Sequence, residues 1–532
     1  GQRALLVRST LRPADGRELA MIDKPSQLLK ALESHCMERQ PVLMHTGSKE
    51  VTSKWGPALL SRCVEKWWPG ARVLVMDRDT IRDPEHAASE AIKDPSRLLS
   101  YDVVIATPVL ETGFSIEDPA GHFKAVLAYS SGHLPATAVV QSIGRLRSPA
   151  PRFVHVAQTG RKVANGATDA ARVRDDRDKH AKDVLDLFMA GQQVPAMSAD
   201  CFYRWWAALI ARRNGEANGY RRRVRWLLLD EGYTVEENRK LCDQEITKLR
   251  DDLGQQVLQH DGETIAALPP TDPAELAALE ERQALTADER NRRDRGRITA
   301  QTGIAAPTSE QVIVWRGKPQ RALLRDLLLR NPKARRLLHK QLLAKLTPSI
   351  SGFRPDLTDH FRDLSLALYL SEQIKERRAL RSIIYATPGN MLSADLLATA
   401  HQHAQADRNQ WRERMGFDPG DADENKVSPL QFARALLAVV GLKLHASKER
   451  KGTRANRERS YVVSDPLEVL DRAAVEAHVL AQMQSPKTLA NTGIGVQKSP
   501  IEERTKTGTG NRPPAQNQIT QLKQPALKGV AA

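Results

Sequence analysis

Only in residues 1–160 do short apolar runs alternate with amphipathic ones. Pro41 to Thr46 reads as a buried strand ending in Gly47, and Val51 to Trp68 then carries Val51, Trp55, Leu59, Cys63 and Trp67 at helical spacing. Ala71 to Asp77 is a second strand, Glu85 to Leu99 a helix, Tyr101 to Thr107 a third strand and Phe123 to Tyr129 a fourth. Thr137 to Leu146 is helical and Arg152 to Val156 supplies a fifth strand. Strands that are continuously apolar and separated by helices predict a mostly parallel sheet covered on both faces, hence one α/β domain over 1–160.

From about 165 to 420 the pattern is helical, interrupted most clearly at Leu268-Pro269-Pro270-Thr271-Asp272-Pro273. This divides it into a helical domain, 161–267, with a basic aromatic face, and a helical region, 274–420. Ser428-Pro429-Leu430 opens a further helix, Ser as N-cap and Pro in the first turn, ending at Gly441. Leu442 to His445 and Tyr461 to Val463 flank a basic, Gly-containing stretch as two strands flank a hairpin tip. A helix followed by a basic hairpin is how a winged-helix module ends, which makes 425–482 a candidate for one. Residues 483–532, rich in Thr, Asn, Gln, Pro, Gly and Lys without apolar periodicity, are expected to be a disordered tail.

Composition narrows the function classes. The 532 residues include 80 Lys+Arg against 64 Asp+Glu, a net charge of +16, which favours a polyanionic partner. Four cysteines without a Cys-x-x-Cys pair are too few for a disulfide framework and give no structural zinc signature. No apolar run reaches the roughly 18 residues of a membrane span, and no leader follows the first Gly, so the expectation is a cytoplasmic protein without a membrane partner.

Three segments carry the candidate chemistry. Leu43-Met44-His45-Thr46-Gly47-Ser48-Lys49-Glu50-Val51 and Ala106-Thr107-Pro108-Val109-Leu110-Glu111-Thr112-Gly113-Phe114-Ser115-Ile116 lie at the carboxyl ends of expected strands; Gln141-Ser142-Ile143-Gly144-Arg145-Leu146-Arg147 lies on the expected helix. Ligands bind outside the carboxyl ends of strands in open α/β sheets. Gln141 and Arg145, four apart, would share a helix face, and Gly144 would let that helix approach a neighbouring backbone. Thr107, Thr112 and Gly113, like Thr46 and Gly47, could hold a nucleic-acid phosphate with hydroxyls and amides; alternatively the threonines satisfy backbone groups in tight turns. His45 reads as a packed strand residue before it reads as a catalyst.

In order and spacing these segments resemble motifs IV, V and VI of superfamily 2 helicases of the DEAH type, over about 150 residues. The resemblance implies a RecA-like second helicase domain working with ATP and Mg²⁺. It implies that Arg145 and Arg147 are arginine fingers, that Gln141 lies near the nucleotide and its attacking water, and that Glu111, Gly113 and Gly144 border the nucleotide. An arginine reaching the phosphates can contribute roughly 10³ to 10⁵ in rate. The last arginine stands one residue early, with Ser148 in its usual place.

No Gly-x-x-x-x-Gly-Lys-Ser/Thr loop occurs in the sequence. Leu227-Leu228-Leu229-Asp230-Glu231 reads as a helix end rather than a metal-binding Asp-Glu, and no metal site is assigned. The chain is therefore expected to be the C-terminal portion of a longer helicase, partnered by an upstream RecA-like domain that holds most of the ATP and Mg²⁺, and inactive in ATP hydrolysis alone. Val109 to Val126, with its Gly121-His122-Phe123, also resembles the plasmid replication proteins of the type first described in cyanobacteria, which pair a primase-like region with a helicase. That implies DNA replication, in association with a plasmid or nucleoid.

Outside the core, Arg221, Arg222, Arg223 and Arg225 lie between Tyr220 and Trp226, a combination suited to stacking bases and contacting phosphates. Alternatively, the tryptophans are helix core and the arginines are solvated. Lys451 and Arg454 would sit on a wing tip aimed at DNA, or on a surface loop. Two other functions stay open: a non-catalytic DNA- or partner-binding module of a replication protein, and an RNA helicase or remodelling ATPase fragment.

Overall fold

The computed structural model describes residues 12–108, 114–175, 201–238, 241–346, 358–420, 427–447 and 460–484. The apolar runs become strands β2 (Val42–Thr46), β3 (Val73–Met76), β4 (Val103–Ala106), β5 (Ala125–Ser130) and β6 (Arg152–Val156). Two strands join them: β1 (Glu18–Ile22) and β7 (Thr234–Asn238). All seven are parallel, in the order β3-β4-β2-β5-β6-β1-β7. The sheet therefore runs past the expected 1–160 boundary and takes its last strand from beyond residue 230.

Alternate residues of each strand feed opposite faces. On one face Val42, Met44, Val103, Ile105 and Leu127 pack against helices α1 (Pro25–Met37) and α2 (Pro57–Trp67) and against Ile246 and Leu253 of helix Gln244–Ala266. The other face is covered by α3 (Ala88–Ala91), α4 (Ala136–Ile143) and helix Tyr220–Asp230. The expected helix 51–68 begins only at Pro57, where proline is tolerated in a first turn; a Cβ on the preceding Gly56 would lie 2.5 Å from the Glu50 carbonyl. The expected helix 85–99 is helical only over Ala88–Ala91, and a 3₁₀ turn capped by Asp94 starts at Pro95.

The helices that follow start at written signals. Asp272 caps Pro273–Glu281, while Thr286 with Glu289 and Thr308 with Gln311 form capping boxes for Ala287–Thr302 and Ser309–Arg316. Ser428 and Gln431 do the same for Pro429–Val439. Beside that helix β8 (Met391–Ser393), β9 (Lys443–Ala446) and β10 (Ser460–Ser464) form an antiparallel sheet ordered β8-β10-β9. Its core gathers Trp411, Phe432, Leu436 and Val463. The expected disordered tail, apart from residues 483 and 484 at the end of helix Arg472–Gln484, lies outside the described residues.

Candidate functional site

The second and third candidate segments meet. Ile116 pairs in parallel with Leu146: the Ile116 amide donates to the Arg145 carbonyl at 2.9 Å, and the Arg147 amide to the Ile116 carbonyl at 3.0 Å. The Arg145 guanidinium donates to the Phe114 carbonyl at 2.9 Å and that of Arg147 to the Ser115 hydroxyl at 3.0 Å. Arg145 is half-buried; Arg147 and Gln141 are exposed.

The shared helix face of Gln141 and Arg145 is not realised. Helix α4 ends at Ile143, and Arg145 lies in the turn beyond it, its amide donating to Ser142 across three residues. Nor does Gly144 serve a close approach: its φ is −80°, and a Cβ there would meet nothing nearer than the Val140 carbonyl at 3.5 Å. Gly47 is equally unconstrained, with 3.9 Å to its nearest neighbours. The fold asks for glycine at neither position.

His45, next to last in β2, shares this region. It is buried, and burial, helped by the nearby Arg145 charge, pushes its pKa down to about 4. The neutral imidazole fits the packed-strand reading. Its Nε2 finds no hydrogen-bond partner among the described residues.

Both described threonines are buried and turn their hydroxyls inward. Thr46 donates to the Trp55 carbonyl and Thr107 to the Met76 carbonyl at 3.4 Å. The tight-turn alternative thus describes their hydroxyls. Glu111, Thr112 and Gly113 lie outside the described residues, as do Lys451 and Arg454.

The four arginines of helix Tyr220–Asp230 do not form one face. Arg221 is 8% exposed and points inward, donating to the carbonyls of Ile22 at 3.1 Å and Val156 at 3.2 Å, with Asp23 at 3.8 Å. It is a strand-end cap rather than a surface contact. Arg223 lies 4.7 Å over the Trp226 ring, which is 44% exposed. Arg222 and Arg225 instead line a cleft of about 380 Å³ with Arg221, Asp23, Gln158 and Glu237. Sequence reasoning missed the last three because two of them follow or end strands that leave little signal. At Leu227 to Glu231 the expected helix end is observed, with Glu231 as C-cap.

Three aromatic rings line up at the carboxyl ends of the sheet: Trp55 stacks on Tyr129 at 4.2 Å and Tyr129 on His155 at 5.5 Å. One flank of this end is fixed by the helical region. Lys318 reaches Glu50 at 2.9 Å, and Arg290 reaches Asp83 at 3.2 Å. Among the described residues no group of three or more His, Cys, Asp or Glu could hold a metal ion, and no described helix is long and apolar enough to cross a membrane.

No family model matches the chain. An uncharacterized protein of Picosynechococcus sp. (strain ATCC 27264 / PCC 7002 / PR-6) is 26% identical over 485 residues, which are 87% of this chain and 46% of that protein. The chain thus spans about half the length of the curated relative it matches.

Proposed function

We propose that this chain is the arginine-donating half of an ATP-dependent DNA motor of the superfamily 2 type, acting in plasmid or phage-type replication. The observation that carries the reading is the anchorage of Arg145. Its guanidinium is held by the Phe114 carbonyl, near the carboxyl end of β2, and its backbone is stitched to the segment that follows β4. An arginine guanidinium held at the carboxyl ends of these strands can supply the electrostatic stabilisation that phosphoryl transfer requires. The parallel sheet with helices on both faces agrees with a RecA-like domain. Gly47 and Gly144, which the fold does not require, leave backbone open where a ligand would lie. Mg²⁺ and most of the ATP contacts belong in this reading to a second lobe that carries a phosphate-binding loop. The relative's origin in Picosynechococcus agrees with the narrower resemblance to cyanobacterial-type replication proteins.

The test is DNA-stimulated ATP turnover in a polypeptide that supplies that lobe. Arg145→Ala is expected to lower kcat by about 10³-fold or more, and Arg147→Ala by less because its side chain is exposed. Turnover unchanged by Arg145→Ala overturns the motor reading.

A second reading is supported by the strand order β8-β10-β9 beside helix Pro429–Val439, the arrangement of a winged-helix, DNA-binding module. The exposed face of that helix carries a single cation, Arg434, which donates to the Leu444 carbonyl at 3.2 Å. In this reading the phosphate contacts are assigned to the basic segment between β9 and β10, Lys451 and Arg454 included. Duplex affinity that falls with salt and drops on Lys451→Ala with Arg454→Ala tests it; RNA bound more tightly than DNA would favour an RNA-acting protein instead.

A further inference from the structure

We infer that the cleft between the carboxyl ends of β1 and β6 is a separate ligand site, for a small phosphate monoester that carries a vicinal diol, such as a ribonucleoside monophosphate. This goes beyond the motor reading and does not depend on it.

Its place in the fold is the first argument. Strand β1 is followed by α1 on one face of the sheet, whereas the crossover from β6 to β7 ends in helix Tyr220–Asp230, which packs on the other. Adjacent parallel strands whose connections leave toward opposite faces open a crevice at their carboxyl ends, where ligands of α/β sheets bind. The cleft of about 380 Å³ occupies that crevice, within the size range of small-molecule sites.

Its lining is the second. The floor is the buried guanidinium of Arg221, fixed by strand-end carbonyls. Arg222 and Arg225, three apart on one helix, bring two more cations to the same wall. Arg225 pairs with Glu237 at 3.7 Å, which sets a guanidinium and a carboxylate side by side at the cleft.

The two carboxylates specify the rest of the ligand. Asp23 and Glu237 would repel a continuous phosphate track such as a nucleic-acid strand, but a carboxylate beside a phosphate site is the usual acceptor for ribose hydroxyls. Gln158, whose amide donates to Asp23 at 3.3 Å, orients one of them. The pattern is one phosphate on the arginines and a diol on the acids.

Titration calorimetry of the full chain with AMP tests this, alongside inorganic phosphate, 2′-deoxy-AMP and a single-stranded oligodeoxynucleotide. Saturable binding is expected, weakened about tenfold or more by Arg222→Ala or Arg225→Ala. Glu237→Gln and 2′-deoxy-AMP should each also bind more weakly, and Arg145→Ala should leave the titration unchanged, which separates this site from the motor reading. Both arginines are at least partly exposed, so their loss leaves the fold intact; Arg222→Lys, which keeps the charge, should bind more tightly than Arg222→Ala. Absence of saturation at millimolar AMP overturns the proposal, as does equal affinity for inorganic phosphate and AMP. So does an oligodeoxynucleotide that needs Arg222 and Arg225 while AMP does not bind.

Discussion

Two glycines illustrate how a single position can be read for what the backbone does and does not demand. Gly132 has φ +83°, and a Cβ there would lie 2.7 Å from the Gly160 Cα and 2.8 Å from the Thr159 carbonyl. Gly144 has neither constraint. Gly132→Ala should therefore destabilise the protein by about 1–2 kcal/mol or more. Gly144→Ala should change stability by less than about 0.5 kcal/mol, as thermal unfolding would read out. A loss of ATP turnover in Gly144→Ala without loss of stability would point to a ligand against that backbone. His45 and His155 add a pH dependence at the same scale. Burial holds both imidazoles down to about 4, so the folded state resists a proton that the unfolded chain accepts near its ordinary 6.5. Their contribution is complete above about pH 6.5 and is lost as pH falls from there toward 4.

At the scale of elements, buried charge decides how the helices dock. Asp363 is 2% exposed and accepts from Arg321 at 3.0 Å and Arg325 at 2.7 Å, tying helix Thr358–Glu376 to Gln320–Arg330. Asp363→Ala leaves two partly exposed guanidiniums without that partner and should cost about 1–3 kcal/mol in denaturant unfolding. On helix Arg472–Gln484, Glu476 is pushed up to about 7, first by burial and then by Asp326, against the pull of Arg472 and Arg330. Because its folded pKa lies above the unfolded value, the stability it supplies is complete below about pH 4.5 and is lost as pH rises through 7. Between pH 6 and 8 this loss opposes the gain from His45 and His155, so Glu476→Gln should make the melting temperature rise more steeply with pH over that range.

These elements were legible in unequal measure. Strands β2 to β6 announce themselves because both faces are buried and nearly every residue is apolar. Strand β7, Thr-Val-Glu-Glu-Asn, is a polar edge strand that pairs only with β1, so neither alternation nor hydrophobicity marks it. The capped helix at Ser428 was readable to its ends, since cap, proline and glycine are local signals. Helix α4 was read too long because Leu146 continues its apolar spacing, yet Leu146 belongs to the bridge with Ile116, a partner thirty residues earlier. For the hydroxyls of Thr46 and Thr107 two readings stay open in the sequence, which shows which residues can contact a phosphate but not which backbone carbonyl lies closer.

For the molecule as a whole, the sheet and the helices after it share one hydrophobic inventory. Helix Gln244–Ala266 lays Ile246 and Leu253 on α1 and α2, and β7 covers the free edge of β1. A fragment ending at residue 160 lacks both and should fail to show cooperative unfolding, whereas one extended to residue 266 should unfold in a single transition by circular dichroism. The same order of pairing has a consequence for synthesis. Of the seven strands of this sheet β1 is made first but finds its neighbours last: β6 comes after four intervening strands, and β7 later still. Until then its carbonyl and amide edges are open to any nascent strand nearby, so β1 is the strand of this sheet most exposed to mispairing while the chain is being made.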